Sequence, residues 1–126
     1  MSTQQNIATL RTIRLELART AEYPEGNALC GYEFTAPLRP DGHLDLAAFK
    51  QHKEKCRVHR FWAGETTQAG ALLHLGHDRW VFSYEPGTED DEPAFHFDRH
   101  QFVPGEYVSI TEHDGVTRPF RIVSVR

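Results

Sequence analysis

Apolar and polar positions alternate along most of this chain, and the period is two. Between Arg11 and Ala18, Ile13, Leu15 and Leu17 alternate with Arg14 and Glu16, the pattern of a half-buried strand. Tyr23-Pro24-Glu25-Gly26-Asn27 interrupts it with turn residues. A second strand is expected from Leu29 to Ala36, with Tyr32 and Phe34 on one face and Glu33 and Thr35 on the other. Pro37, Pro40, Asp41 and Gly42 close it. Past Arg57 the same period predicts strands over Val58–Trp62, Ala69–Leu75, Trp80–Glu85, Ala94–Phe97, Tyr107–Thr111 and Thr117–Val125. Gly76-His77-Asp78-Arg79 and Asp114-Gly115 read as tight hairpin turns. Pro119, early in the last strand, predicts an edge or a bulge there.

One segment changes period. From Asp45 to Cys56 the spacing predicts a helix with Asp45 as its cap. Leu46, Phe49, Lys53 and Cys56 form a mostly apolar stripe, and Lys50 pairs with Glu54 on another side. About eight short strands joined by hairpins, with one helix, predict a mainly β fold: a small antiparallel barrel or sandwich in a single domain spanning 1–126. The short connections from Val58 to Val125 favour the barrel, with the helix over an open end or one face.

Composition narrows the class. The chain has 126 residues, 39% hydrophobic and 25% charged, with 8 Phe, 4 Tyr and 2 Trp. That excludes a disordered or collagen-like chain. No apolar run approaches the ~18 residues of a membrane span, so no membrane partner is expected. The polar stretch Met1–Asn6 lacks an apolar signal core, which together with two well-separated cysteines, Cys30 and Cys56, points to a cytoplasmic protein with reduced thiols.

Charge is polarised. The formal net charge is −4. Lys50, Lys53, Lys55, Arg57 and Arg60 face a single anion, Glu54, so that segment carries +4 and the rest of the chain −8. Lys50, Lys53, Arg57 and Arg60, with Trp62 as an aromatic neighbour, are the candidate binding residues for an acidic protein or a nucleic acid. On a helix running to Cys56, Lys50, Lys53 and Arg57 would align on one side. An opposite cluster holds Glu85, Glu89, Asp90, Asp91 and Glu92, and its run Glu89–Glu92 reads as a mobile surface loop that lacks the alternating ligands of a calcium site.

Eight histidines raise a competing possibility. His74, His77, His96 and His100, with Asp98, form the candidate set for a divalent transition metal, which would make the protein a metal-binding enzyme or sensor. Cys30, Cys56, His52 and His59 make a second possible set, against which stands core packing of Cys56. No nucleophile elbow, phosphate loop or HExxH occurs. No cofactor is expected, and the leading reading is a binding module that is not itself a catalyst.

Two resemblances add to this. Phe102-Val103-Pro104-Gly105-Glu106-Tyr107-Val108-Ser109-Ile110, followed by Arg118-Pro119-Phe120-Arg121-Ile122-Val123-Ser124, resembles the flavin-binding barrel of ferredoxin-reductase-like proteins. The resemblance implies a flavin-binding role for Arg118, whereas Arg121 stands where that group has a serine ligand. Over most of its length, through Arg60-Phe61-Trp62 and Phe102–Val108, the chain is similar to a group of small bacterial proteins of unknown function. That likeness implies no activity.

Overall fold

The computed structural model describes residues 7–84 and 91–126. Its strands, in chain order, are β1 (Thr9–Leu17), β2 (Asn27–Leu38), β3 (Arg57–Phe61), β4 (Gln68–His74), β5 (Arg79–Tyr84), β6 (Glu92–Phe95), β7 (Tyr107–Thr111) and β8 (Thr117–Val125). Each pairs antiparallel with the next, and β8 returns to β1, so the sheet closes into an eight-stranded barrel. Closure is the complete solution to the exposed strand edge. Both expected hairpin turns are present. Arg79 N donates to the Gly76 carbonyl at 3.0 Å, and Gly115 N to the Glu112 carbonyl at 2.8 Å.

Alternation of direction defines two ends. The helix α1 (Leu46–His52) joins β2 to β3, so it lies at the end where β1 begins. The turn before Arg79 and the segment 96–106 lie at this helix end too. Residues 18–26, 62–67 and 112–116 lie at the far end. Asp45 caps α1 by accepting from Ala48 N at 2.9 Å. Phe49 is buried and meets the Trp80 ring edge-on, 4.9 Å between centroids. The helix therefore stoppers its end of the barrel. Among the described residues, no helix is long and apolar enough to cross a membrane.

The helix is shorter than its periodicity suggests. It stops at His52, and Lys53–Lys55 tighten into a 3₁₀ turn. The cause lies one residue further on. The Cys56 carbonyl accepts from Leu72 N at 2.9 Å, so the chain is already committed to the β3–β4 ladder. Lys53 is exposed, not part of an apolar stripe, and Arg57 opens β3 rather than extending a helical face.

Inward positions follow the predicted alternation and are filled. Phe34 contacts Phe82, Phe97 and Phe102 at 5.3, 5.4 and 6.0 Å between ring centroids. Tyr32 adds Phe82 and Phe120 at 5.0 and 5.1 Å. Such stacked, tilted and edge-on pairs contribute about 0.5–1.5 kcal/mol each beyond burial. Two glycines admit close strand approach. A Cβ at Gly31 would lie 1.9 Å from the Leu15 carbonyl oxygen. At Gly70 it would lie 2.2 Å from that of Ser83 and 2.7 Å from the Tyr84 ring, so Gly70 leaves Tyr84 the room to reach inward.

Two local expectations change. Pro119 marks neither an edge nor a bulge: β8 has neighbours on both sides, and the β1–β8 register shift falls between Arg14 and Leu15. The Pro119 carbonyl accepts from Ala18 N, just beyond the end of β1. Its missing amide proton faces the same way, so the one bond forgone is to Ala18, past the last pair of the β1–β8 ladder. The strand expected over Ala94–Phe97 is β6, two residues earlier, because His96 adopts φ 58° and begins a turn.

Candidate functional site

The cationic segment lies at the helix end. Lys50 is in the last turn of α1, Lys53 and Lys55 lie in the 3₁₀ turn, and Arg57 is the first residue of β3. All four are exposed. None forms an ion pair with another described residue. From Lys50 to Arg57 the backbone advances about 14 Å by the rises of helix, 3₁₀ turn and strand.

Arg60 and Trp62 do not belong to this face. Along β3, Arg57 and His59 point outward, while Val58 and Arg60 point inward. Arg60 is 4% exposed and enters the far end of the barrel, away from α1. Trp62 lies just past β3 at that far end, half-buried, with the Arg60 guanidinium 4.4 Å from its ring centroid. Phe61 faces outward but carries Arg14 over its ring at 4.3 Å. Both aromatics are occupied by arginines of the same chain.

Arg60 is instead part of a buried polar cluster that closes the far end. Its Nη2 donates to Glu112 Oε1 at 2.8 Å and its Nη1 to Glu65 Oε1 at 3.1 Å, while Nε lies 3.6 Å from Glu92 Oε2. Glu92 and Glu112 are 0% and 2% exposed. Glu92 Oε1 accepts from the hydroxyls of Tyr32 and Tyr84 at 2.9 and 3.0 Å. Its Oε2 accepts from the His113 backbone amide and lies 3.0 Å from His113 Nδ1. The Tyr32 hydroxyl also meets Glu112 Oε2. Burial pushes the Glu112 carboxyl above the usual glutamate range, against the opposing pull of the Tyr32 and Arg60 hydrogen bonds. Burial and the two glutamates likewise push both tyrosines upward, so both stay neutral phenols.

The acidic run is thus not a surface loop throughout. Glu85, Glu89 and Asp90 lie outside the described residues, but Glu92 is the most buried charge at the far end. Its place at the start of β6, on the inward parity of Ala94, puts it there.

The histidines do not converge. The His74 ring packs on Trp80 at 4.5 Å, and its Nε2 lies 2.7 Å from the His77 carbonyl oxygen. His77 and His96 both take left-handed turn conformations, φ 51° and 58°. His96 Nδ1 is 3.9 Å from Asp78, and the His100 ring lies 6.4 Å from that of Phe102. Among the described residues, no group of three or more His, Cys, Asp or Glu is placed to hold a metal. The structure does not bring together the His74–His77–His96–His100 set, nor the set of Cys30, Cys56, His52 and His59.

Both cysteines are buried core residues. Burial pushes the Cys56 thiol up to about 11. Thiolate, not thiol, is the reactive form. Native protein is therefore expected to resist a thiol-reactive reagent at neutral pH and to react at two sites after unfolding. Rapid modification of Cys56 in the native state would contradict its place in the core.

Arg118, the residue implied for a flavin, is 8% exposed. Its donors go to Glu22 at 3.1 Å and to both oxygens of Asp114 at 3.2 and 3.0 Å, with Glu112 3.9 Å away. Phe120 points inward beside it, and Arg121 is exposed on the outer wall.

No protein-family model, curated protein or solved structure matches the chain.

Proposed function

We propose that this barrel is a binding module, not itself a catalyst, and that its working surface is Lys50, Lys53, Lys55 and Arg57, which meets an acidic protein partner. The supporting observation is that four consecutive cations stand exposed and without an ion-pair partner among the described residues, on a chain that is acidic elsewhere. Opposed charge of this kind steers association and sets specificity. Two features favour a protein over a nucleic acid. Base stacking needs a free aromatic face. Phe49, next to Lys50, is buried, and Phe61 and Trp62 are covered by Arg14 and Arg60. The basic segment is also short, and the net charge of −4 opposes a nucleic-acid backbone.

Fluorescence anisotropy with labelled polyglutamate and with a single-stranded oligonucleotide tests this at low salt. Polyglutamate is expected to bind, more weakly as salt rises. The double variant Lys50→Glu, Arg57→Glu is expected to lose about tenfold or more in affinity. Its melting point should hold, since exposed substitutions stay within about 0.5 kcal/mol. Absence of binding to either probe would end the proposal, and binding of the oligonucleotide alone would replace the acidic protein with a nucleic acid.

A further inference from the structure

We propose that Glu92 and Glu112 hold one proton between them, and that this proton is the clasp of the β6–β7 seam, which is closed while the proton is bound and loosens when it leaves. This is independent of the partner-binding surface at the opposite end of the barrel.

The seam is where the barrel wall is thinnest in backbone pairing. Every other neighbouring pair of strands shares four to nine register pairs among the described residues. β6 and β7 share one, Ala94 with Ile110. Two residues toward the far end, the same antiparallel register sets Glu92 opposite Glu112. Two inward carboxyl groups therefore stand on either side of the weakest junction. Like charges directly opposed across strands destabilise a pairing, yet these two are joined through Tyr32.

Hydrogen-bond counting requires a proton more than two carboxylates provide. Tyr32 has a single hydroxyl proton and faces Glu92 Oε1 and Glu112 Oε2 together. If it donates to Glu92, the contact with Glu112 needs a donor on Glu112, which the protonated acid supplies. If it donates to Glu112, the same demand falls on Glu92 Oε1, which already accepts from Tyr84. The first arrangement gives each contact at Tyr32 one donor and one acceptor, while Arg60 Nε faces Glu92 at 3.6 Å without a hydrogen bond. Glu112 donates to the Tyr32 oxygen, Tyr32 donates to Glu92, and Arg60 donates to the remaining Glu112 oxygen. The charge then balances as Arg60 against Glu92.

Among the described residues, the titratable and charged groups facing the pair are Tyr32 on β2, Arg60 on β3, Tyr84 on β5, His113 after Glu112, and Arg118 on β8. Arg118 is itself engaged by Glu22 and Asp114. Loss of the proton to solvent leaves two buried carboxylates at the seam, with Arg60 as the nearer guanidinium and Arg118 3.9 Å from Glu112. Because the Glu112 carboxyl is raised in the folded protein, the stability it contributes is complete below the ordinary glutamate range. That stability is lost as pH rises through the folded value.

The experiment combines carboxyl carbon NMR titration of the wild type with hydrogen exchange against pH. One of the two buried carboxyls is expected to remain protonated above the ordinary glutamate range. As it ionises, the amides of Glu92, Ala94, Phe95 and 107–111 should exchange faster while those of β1–β2 do not change. In Glu112→Gln the side-chain amide donates to Tyr32 and accepts from Arg60 as the protonated acid does, so the pH-dependent loosening should vanish. In His113→Asn it should persist, which separates the clasp from titration of the imidazole. Ionisation of both carboxyls within or below the ordinary range overturns the proposal, as does a seam that loosens equally in Glu112→Gln. Should that variant fail to fold, the wild-type titration decides alone.

Discussion

Arg60→Met is expected to lower the melting temperature by about 10–20 °C. Removing one partner of a buried ionic group costs about 3–5 kcal/mol, because the other partner is left as an uncompensated buried charge. In a domain of this size each kcal/mol shifts the midpoint by roughly 3–5 °C. Arg60 is the nearest guanidinium to both Glu92 and Glu112, at 3.6 and 2.8 Å. Methionine keeps an aliphatic stem but gives up the guanidinium contact with the Trp62 ring, so the loss combines the charge with that contact. The contact with Glu65 contributes little, since that glutamate is half exposed and screened by water. A double variant, Arg60→Met with Glu92→Gln, should recover part of the loss, because it also removes the carboxylate that the arginine balances and residues of one network couple in double-mutant cycles. Thermal melts of the four proteins at one pH make the measurement. Equal melting of Arg60→Met and wild type would show that the far-end cluster does not depend on the arginine charge.

Phe34→Ala is expected to cost about 3–5 kcal/mol, the range for emptying a buried phenylalanine site. Phe34 touches three other rings at the centre of the barrel, and the closed wall prevents neighbouring strands from collapsing into the void. Phe34→Leu, which keeps more of the volume, should cost well under half as much. Leu29→Ala serves as the contrast: Leu29 is on the same strand but faces outward and exposed, so its loss should stay within about 0.5 kcal/mol. Urea denaturation should show the midpoint moving at unchanged slope. A cost near zero for Phe34→Ala would mean the interior is loosely filled.

The strands were legible because period-two alternation survives even where strands are only five or six residues long. β3, β5 and β7 each match their expected spans to within about two residues. The far-end cluster was not read, although the same parity contains it. Arg60 is two residues past Val58, Glu112 two past Ile110, and Glu92 two before Ala94, so each continues the inward face of its strand by one step. Charged residues at the end of an apolar alternation read as surface. Here Tyr32 and Tyr84, inward on their own strands, supply the hydroxyls that make burial tolerable. The cationic stripe failed for the opposite reason. Its alignment assumed helical spacing through Arg57, and the tertiary demand of the β3–β4 ladder ended the helix at His52. The histidine set failed because spacing across a glycine turn says nothing about where each ring points.

Closing the barrel carries a kinetic consequence. Seven of the eight junctions join strands that follow one another in the chain, but the eighth joins Leu17 to Phe120 and Ile13 to Val125. Bringing the ends of a tenfold longer loop together costs about 2 kcal/mol more in chain entropy. Hairpins such as β4–β5 are then free to form early, and the docking of β8 against β1 falls late on the folding route. Residues that serve only that last junction, such as Ser124 opposite Arg14, should affect how fast the protein unfolds far more than how fast it folds.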